Sequence, residues 1–152
     1  MKTVQDILTS KGNLVVSVSP ESTVIKALEI MAEKNIGAIL VLKDEGDVVG
    51  IFSERDFARK MILKGHDCDT TKVGEIMTKS IIYANTSTSI EDCMNLMTDN
   101  HFRHLPVKSN GKLVGVISIG DVVKWLIQEQ KRTIAEQAFE IGQNERRSVS
   151  AV

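Results

Sequence analysis

Gly50-Ile51-Phe52-Ser53-Glu54-Arg55-Asp56 and Gly115-Val116-Ile117-Ser118-Ile119-Gly120-Asp121 follow one pattern. A Gly and two apolar residues lead into a Ser, and an Asp closes the segment. The apolar pair reads as the end of a strand, and Ser-x-x-Asp as the first turn of a helix. A strand that delivers Ser to a helix start sets its hydroxyl beside free backbone N–H groups, where the helix dipole favours an anion. A carboxylate in that turn can accept hydrogen bonds from two neighbouring hydroxyls, as a ribose diol offers. A phosphate site beside a diol site suggests a nucleotide. The same spacing is that of a capping box, which needs no ligand. The two readings are compatible, and the second copy of the pattern favours binding.

The duplication extends outward from this segment, and internal repeats govern how a chain is divided. Val4-Gln5-Asp6-Ile7-Leu8-Thr9 resembles Val73-Gly74-Glu75-Ile76-Met77-Thr78. Val24, Ala27, Leu28 and Met31 form an apolar stripe at helical steps, and Ile90, Cys93, Met94 and Met97 repeat it. Each half therefore predicts a short strand (Leu14–Val18; Ile81–Ala84), an amphipathic helix (Thr23–Lys34; Ser89–Asp99), and two apolar strands. Those strands are Ala38–Leu42 with Val48–Phe52, and Leu105–Val107 with Leu113–Ile117. A last helix begins near Asp56 or Asp121. Thr88 and Glu91 have capping-box spacing for the second amphipathic helix. Asp44-Glu45-Gly46-Asp47 and Ser109-Asn110-Gly111-Lys112 have hairpin-turn chemistry. So few strands enclose no good core alone, so the halves should pack together and leave a cleft between them.

Composition narrows the function. The chain has 152 residues, 42% hydrophobic and 4% aromatic, with a net charge of -1. That is enough for a packed aliphatic core and too little positive charge for a bulk attraction to nucleic acid or an anionic membrane. Two cysteines, Cys68 and Cys93, make no disulfide framework. With neither a signal peptide nor a spanning apolar run in view, the expected setting is cytoplasmic.

The repeated unit resembles the CBS domain, named after cystathionine β-synthase, and two in tandem resemble a Bateman module of the bacterial stand-alone kind. The resemblance covers roughly residues 1–130. It implies an α/β (α+β) fold of two β-α-β-β-α repeats packed about a pseudo-twofold axis, here with a C-terminal helical extension. The boundaries read as 1–66 and 67–130 for the repeats and 131–152 for the C-terminal helix and tail. The family's ligands are AMP, ADP, ATP, S-adenosylmethionine and, in some stand-alone members, NAD(H). It senses rather than catalyses, so the expected role is that of a regulatory module binding an adenine nucleotide, with no metal. It is also expected to be a homodimer and to report to an effector protein the sequence does not identify. The alternative is a ligand-free module for dimerisation or interaction.

By position in the motif, the resemblance implies that Asp56 and Asp121 hold ribose hydroxyls and that Ser53 and Ser118 contact phosphate or ribose. Each pocket should draw on both repeats. Thr78, Ile82, Phe102, Arg103 and His104 are expected beside Asp56, and Thr9, Val16, Ile36, Gly37 and Ala38 beside Asp121. The copies differ in charge: Gly37-Ala38 becomes Arg103-His104, and Arg55 faces Gly120 in the alignment. An Arg fork suits phosphate, so the Asp56 pocket is expected to favour the more anionic ligand.

Gly65-His66-Asp67-Cys68-Asp69 is too crowded for an evident tetrahedral metal site and reads as a linker loop. Cys93 and the Met residues at 31, 94 and 97 read as core. No nucleophilic triad can be assigned. Trp125–Gly142 can extend the last helix, with Ile127, Ile134 and Ile141 every seven residues, packing across a subunit boundary or back on its own lobe. The stretch Asn144–Val152 is expected to be disordered.

Overall fold

The computed structural model describes residues 2–44 and 46–150. Met1, Glu45, Ala151 and Val152 lie outside the described residues. Two three-stranded sheets repeat one arrangement. The first holds β1 (Ser17–Val18), β2 (Ala38–Lys43) and β3 (Asp47–Ser53); the second holds β4 (Ala84–Asn85), β5 (His104–Ser109) and β6 (Lys112–Ser118). In each, the first strand pairs parallel with the second and the second antiparallel with the third. Even the register irregularity recurs, between Val41 and Leu42 and between Val107 and Lys108.

The helices follow from local chemistry. α1 is Val4–Lys11, α2 is Val24–Lys34, α4 is Val73–Ile76 and α5 is Ile90–Asn100. Thr23 caps α2 by accepting from the Lys26 N–H, and the helix stops at Asn35, which is left-handed at φ 53°. α5 stops the same way at His101, φ 58°. α3 (Glu54–Asp56) widens into a π-helical turn over Phe57–Ile62. α6 runs from Ile119 to Ser150. The second hairpin closes through Asn110-Gly111, both at positive φ (51° and 76°), which is the backbone a two-residue primed turn demands.

The cores are crossed. One buried cluster joins Val4, Ile7 and Leu8 of α1 to Ala84, Ile90, Cys93, Met97, Leu105, Val107, Ile117 and Val122 of the second repeat. The other joins Val73 and Ile76 of α4 to Val18, Val24, Ala27, Met31, Ile39, Val41, Phe52 and Met61 of the first. Each lead-in helix thus completes the opposite repeat's core, the exchange of roles a local twofold requires. The motif glycines mark the crossing points. A Cβ on Gly115 would meet Leu8 Cδ2 at 2.8 Å, and one on Gly50 would collide with the Met77 side chain.

Four expectations need correction. The strands expected at 14–18 and 81–84 shrink to Ser17–Val18 and Ala84–Asn85, because only those residues find a ladder partner. The cap of α5 is Ser89, whose Oγ accepts from the Asp92 N–H at 3.0 Å. Thr88 instead accepts from the Asn85 N–H in the preceding turn. Residues 144–150, expected to be disordered, continue α6. Val122 and Trp125 at the start of α6 pack on its own lobe, but Ile127, Ile134 and Ile141 are exposed, so that stripe does not fold back on it. Among the described residues, no helix is long and apolar enough to cross a membrane.

Candidate functional site

Strand β3 carries Ser53 to the start of α3, and the two ends of the motif cap each other. Ser53 Oγ accepts from the Asp56 N–H at 3.2 Å, while Asp56 Oδ2 accepts from the Ser53 N–H at 3.0 Å and from its hydroxyl at 3.1 Å. The other carboxylate oxygen accepts from the Thr78 hydroxyl and from Lys60 Nζ, each at 3.0 Å. Thr78 arrives because the chain leaves α4 extended at Met77 and Thr78 pairs with Ile51 of β3. Lys60 arrives from the π turn and also donates to the Ile76 carbonyl. Asp56 is therefore buried, with both oxygens engaged.

A cavity of about 270 Å³ opens beside it, near the small end for a ligand pocket. Ile51, Ile81, Ile82 and Phe102 give it apolar wall. Ser53, Thr78, Ser80, Arg55, Arg103, His101 and His104 give it donors, and Glu54 adds one negative charge. Arg55 Nη1 donates to the His101 carbonyl across the repeat boundary at 3.3 Å.

The second cleft is built alike and charged differently. Asp121 Oδ2 accepts from the Ser118 N–H at 2.8 Å, and Ser118 Oγ accepts from the Asp121 N–H at 3.1 Å. Lys11, at the end of α1, donates to Asp121 Oδ2 at 2.7 Å and to the Val116 carbonyl at 2.9 Å. The cavity here is about 280 Å³, walled mainly by Leu14, Val16, Ile36, Ala38, Ile39, Leu40 and Val116. Burial works to raise the Asp121 pKa, but the hydrogen bonds and charge of Lys11 and the Ser118 bonds prevail and hold it below its usual value. His104 lines both clefts, as do Gly37 and Ile51. Burial pushes the His104 imidazole below its ordinary pKa; the Asp121 charge opposes this, and Lys11 and Arg103 reinforce it.

The structure brings Ser53, Arg55, Asp56, Thr78, Ile82, Phe102, Arg103 and His104 to the first cleft. It brings Ser118, Asp121, Val16, Ile36, Gly37 and Ala38 to the second. Thr9 does not join them. α1 continues past it to Lys11, so Thr9 stays exposed on the helix, where Gln5 Nε2 donates to its hydroxyl at 3.1 Å. Sequence reasoning missed Lys60, Lys11, Ser80, Ile81 and His101. Lys60 was findable, four residues beyond Asp56 on one helical face. Lys11 was not, because its partner lies in the other repeat.

Among the described residues, no group of three or more His, Cys, Asp or Glu side chains could hold a metal ion. The clefts offer hydrogen-bond donors, a stackable ring and cationic side chains. The architecture defines a duplicated α/β module with a ligand-sized cleft on each side of its twofold. The chain belongs to the CBS-domain family, whose profile matches residues 4–63 and 73–128. It is 36% identical over 140 residues to the mitochondrial CBS domain-containing protein CBSX3 of Arabidopsis thaliana, covering 87% of this chain and 68% of that protein. A CBS-domain protein from Burkholderia ambifaria superposes with a TM-score of 0.82 at 45% identity, covering 85% of this chain and 96% of that one. CBSX2 in complex with AMP superposes at 0.69 with 34% identity, covering 86% and 99%. Hypoxic Response Protein I with two coordinated zinc ions does so at 0.69 with 28% identity, covering 81% and 98%.

Proposed function

We propose that this chain is a cytoplasmic, homodimeric regulatory module that binds an adenine nucleotide (AMP, ADP, ATP or NAD(H)) between its CBS repeats and catalyses nothing itself. The observation that carries this is the Asp56 cleft. Phe102 and Ile82 come from one repeat and the Ser53-headed helix start from the other, and Arg55 and Arg103, one from each repeat, line the same space. Phe102 and Ile82 suit a flat purine, the Arg pair suits phosphate, and Ser53 with Thr78 suits ribose. A ligand there touches both repeats, so binding biases their packing, which an effector protein can sense. The AMP complex of CBSX2 supports the choice of an adenine nucleotide.

A second reading, a ligand-free interaction module, is favoured by one observation: Asp56 already has its hydrogen bonds within the protein. Calorimetric titration and thermal melts with AMP, ADP, ATP, NADH and GMP separate the two. The nucleotide reading expects binding and a raised melting temperature with an adenine ligand and much less with GMP. It also expects Arg103→Ala to weaken AMP by about tenfold or more, the worth of a bond to a charged group. No stabilisation by any of the five at millimolar concentration returns the second reading.

A further inference from the structure

We infer that Lys11 is the specificity-determining residue of the Asp121 cleft, admitting an adenine ligand only when it carries a phosphate that takes the lysine off Asp121. The inference rests on the adenine-nucleotide reading above. Lys11 Nζ lies 2.7 Å from Asp121 Oδ2 and 2.9 Å from the Val116 carbonyl. It thus holds Oδ2, one of the two carboxylate oxygens that a ribose diol would grip together. The remaining lining is mostly apolar, and its other ionisable base, His104, is held toward the neutral form by burial. Among the described residues, Lys11 is therefore the one side chain lining this cleft that carries a standing positive charge.

To grip both oxygens, a nucleoside without phosphate has to break the Lys11–Asp121 pair, and it offers the freed ammonium nothing in return. A nucleotide offers it a phosphate. The flexible four-carbon stem of lysine lets the ammonium cross from carboxylate to phosphate, and the diol hydroxyls then take its place on Asp121. Charge is conserved across the exchange: one ion pair is traded for another plus two hydrogen bonds to a carboxylate. The Asp56 cleft also holds its aspartate by a lysine, at 3.0 Å, but a phosphate there does not depend on moving it. Its lysine, Lys60, is tied to the Ile76 carbonyl and Thr78, and Arg55 and Arg103 stand apart from it as phosphate partners.

The test is a methyl-labelled NMR titration with AMP and with adenosine. Ile36 lines only the Asp121 cleft, and Ile81 and Ile82 only the Asp56 cleft, so their methyl shifts report the two sites separately. In the wild-type chain the Ile36 signal is expected to favour AMP over adenosine by about tenfold or more. Lys11→Met is expected to bring that ratio close to one, AMP losing and adenosine gaining, and Lys11→Arg to restore it. Lys11→Gln, which keeps a neutral donor for the Val116 carbonyl, serves if the Met variant does not fold. A ratio at Ile36 unchanged by Lys11→Met or Lys11→Gln overturns the inference, as does an Ile36 signal indifferent to AMP while Ile81 and Ile82 respond. Silence of all three probes toward AMP overturns the nucleotide reading and this inference with it.

Discussion

Asp56 and Asp121 hold matching places in the two repeats and keep different company. The Asp56 side chain is 8% exposed and takes Thr78, Lys60 and Ser53; that of Asp121 is 23% exposed and takes Lys11 and Ser118. Asp56→Ala strands several donors in the interior and is expected to cost about 3 kcal/mol of stability. Asp121→Ala loses a cap and a half-exposed ion pair that water can replace, for about 1 kcal/mol. Urea denaturation of both variants checks the order, and equal losses would contradict it. His104 gives a pH signature. Its folded pKa lies below the ordinary value of about 6.5, so as pH falls through that value the unfolded chain takes up a proton first. Stability is full above that pH and drains as pH drops toward the folded pKa. His104→Gln is expected to flatten the fall of the melting temperature as pH drops below about 6.5, and a profile of unchanged slope would rule the residue out.

At the scale of elements, the long strands and the amphipathic helices were legible because their apolar periods are clean. The short ones were not. β1 and β4 are two residues long, and only a parallel neighbour defines them. The α5 cap was misread by one residue because Thr86, Ser87, Thr88 and Ser89 are all competent to cap, and backbone position alone selects Ser89. The tail was misread because polar composition suggested disorder, while 144–150 lack Pro and Gly and carry on an established helix. Glycine shows how context decides. Gly115→Ala is expected to destabilise by about 1–3 kcal/mol, because the new methyl meets buried Leu8 at 2.8 Å. Gly142→Ala has open space on α6 and is expected to be neutral or to stabilise by up to about 1 kcal/mol. Thermal melts of the pair decide this, and matching losses would mean that the crossing point is not tight.

For the molecule as a whole, the duplication and the paired clefts were legible because the motif is written twice in register. The exchange of lead-in helices was only half visible. The family resemblance placed Thr78 beside Asp56 and Thr9 beside Asp121, yet nothing local in Val4–Lys11 says which repeat its apolar face will enter. That face is satisfied by residues more than 70 positions away, and periodicity carries no information about such distances.

The crossed cores have a consequence for how the chain is made. Lys11 and Asp121, which end up in contact, are separated by 110 residues. At a synthesis rate of about 5–20 residues per second, α1 leaves the ribosome roughly 5–20 s before its docking surface exists. Val4, Ile7 and Leu8 travel uncovered through that interval, while the first repeat waits a shorter time for Val73 and Ile76. α1 is thus made well before it can be seated, and a polypeptide halted after the first repeat carries an orphan apolar helix, a natural handle for chaperones and proteases.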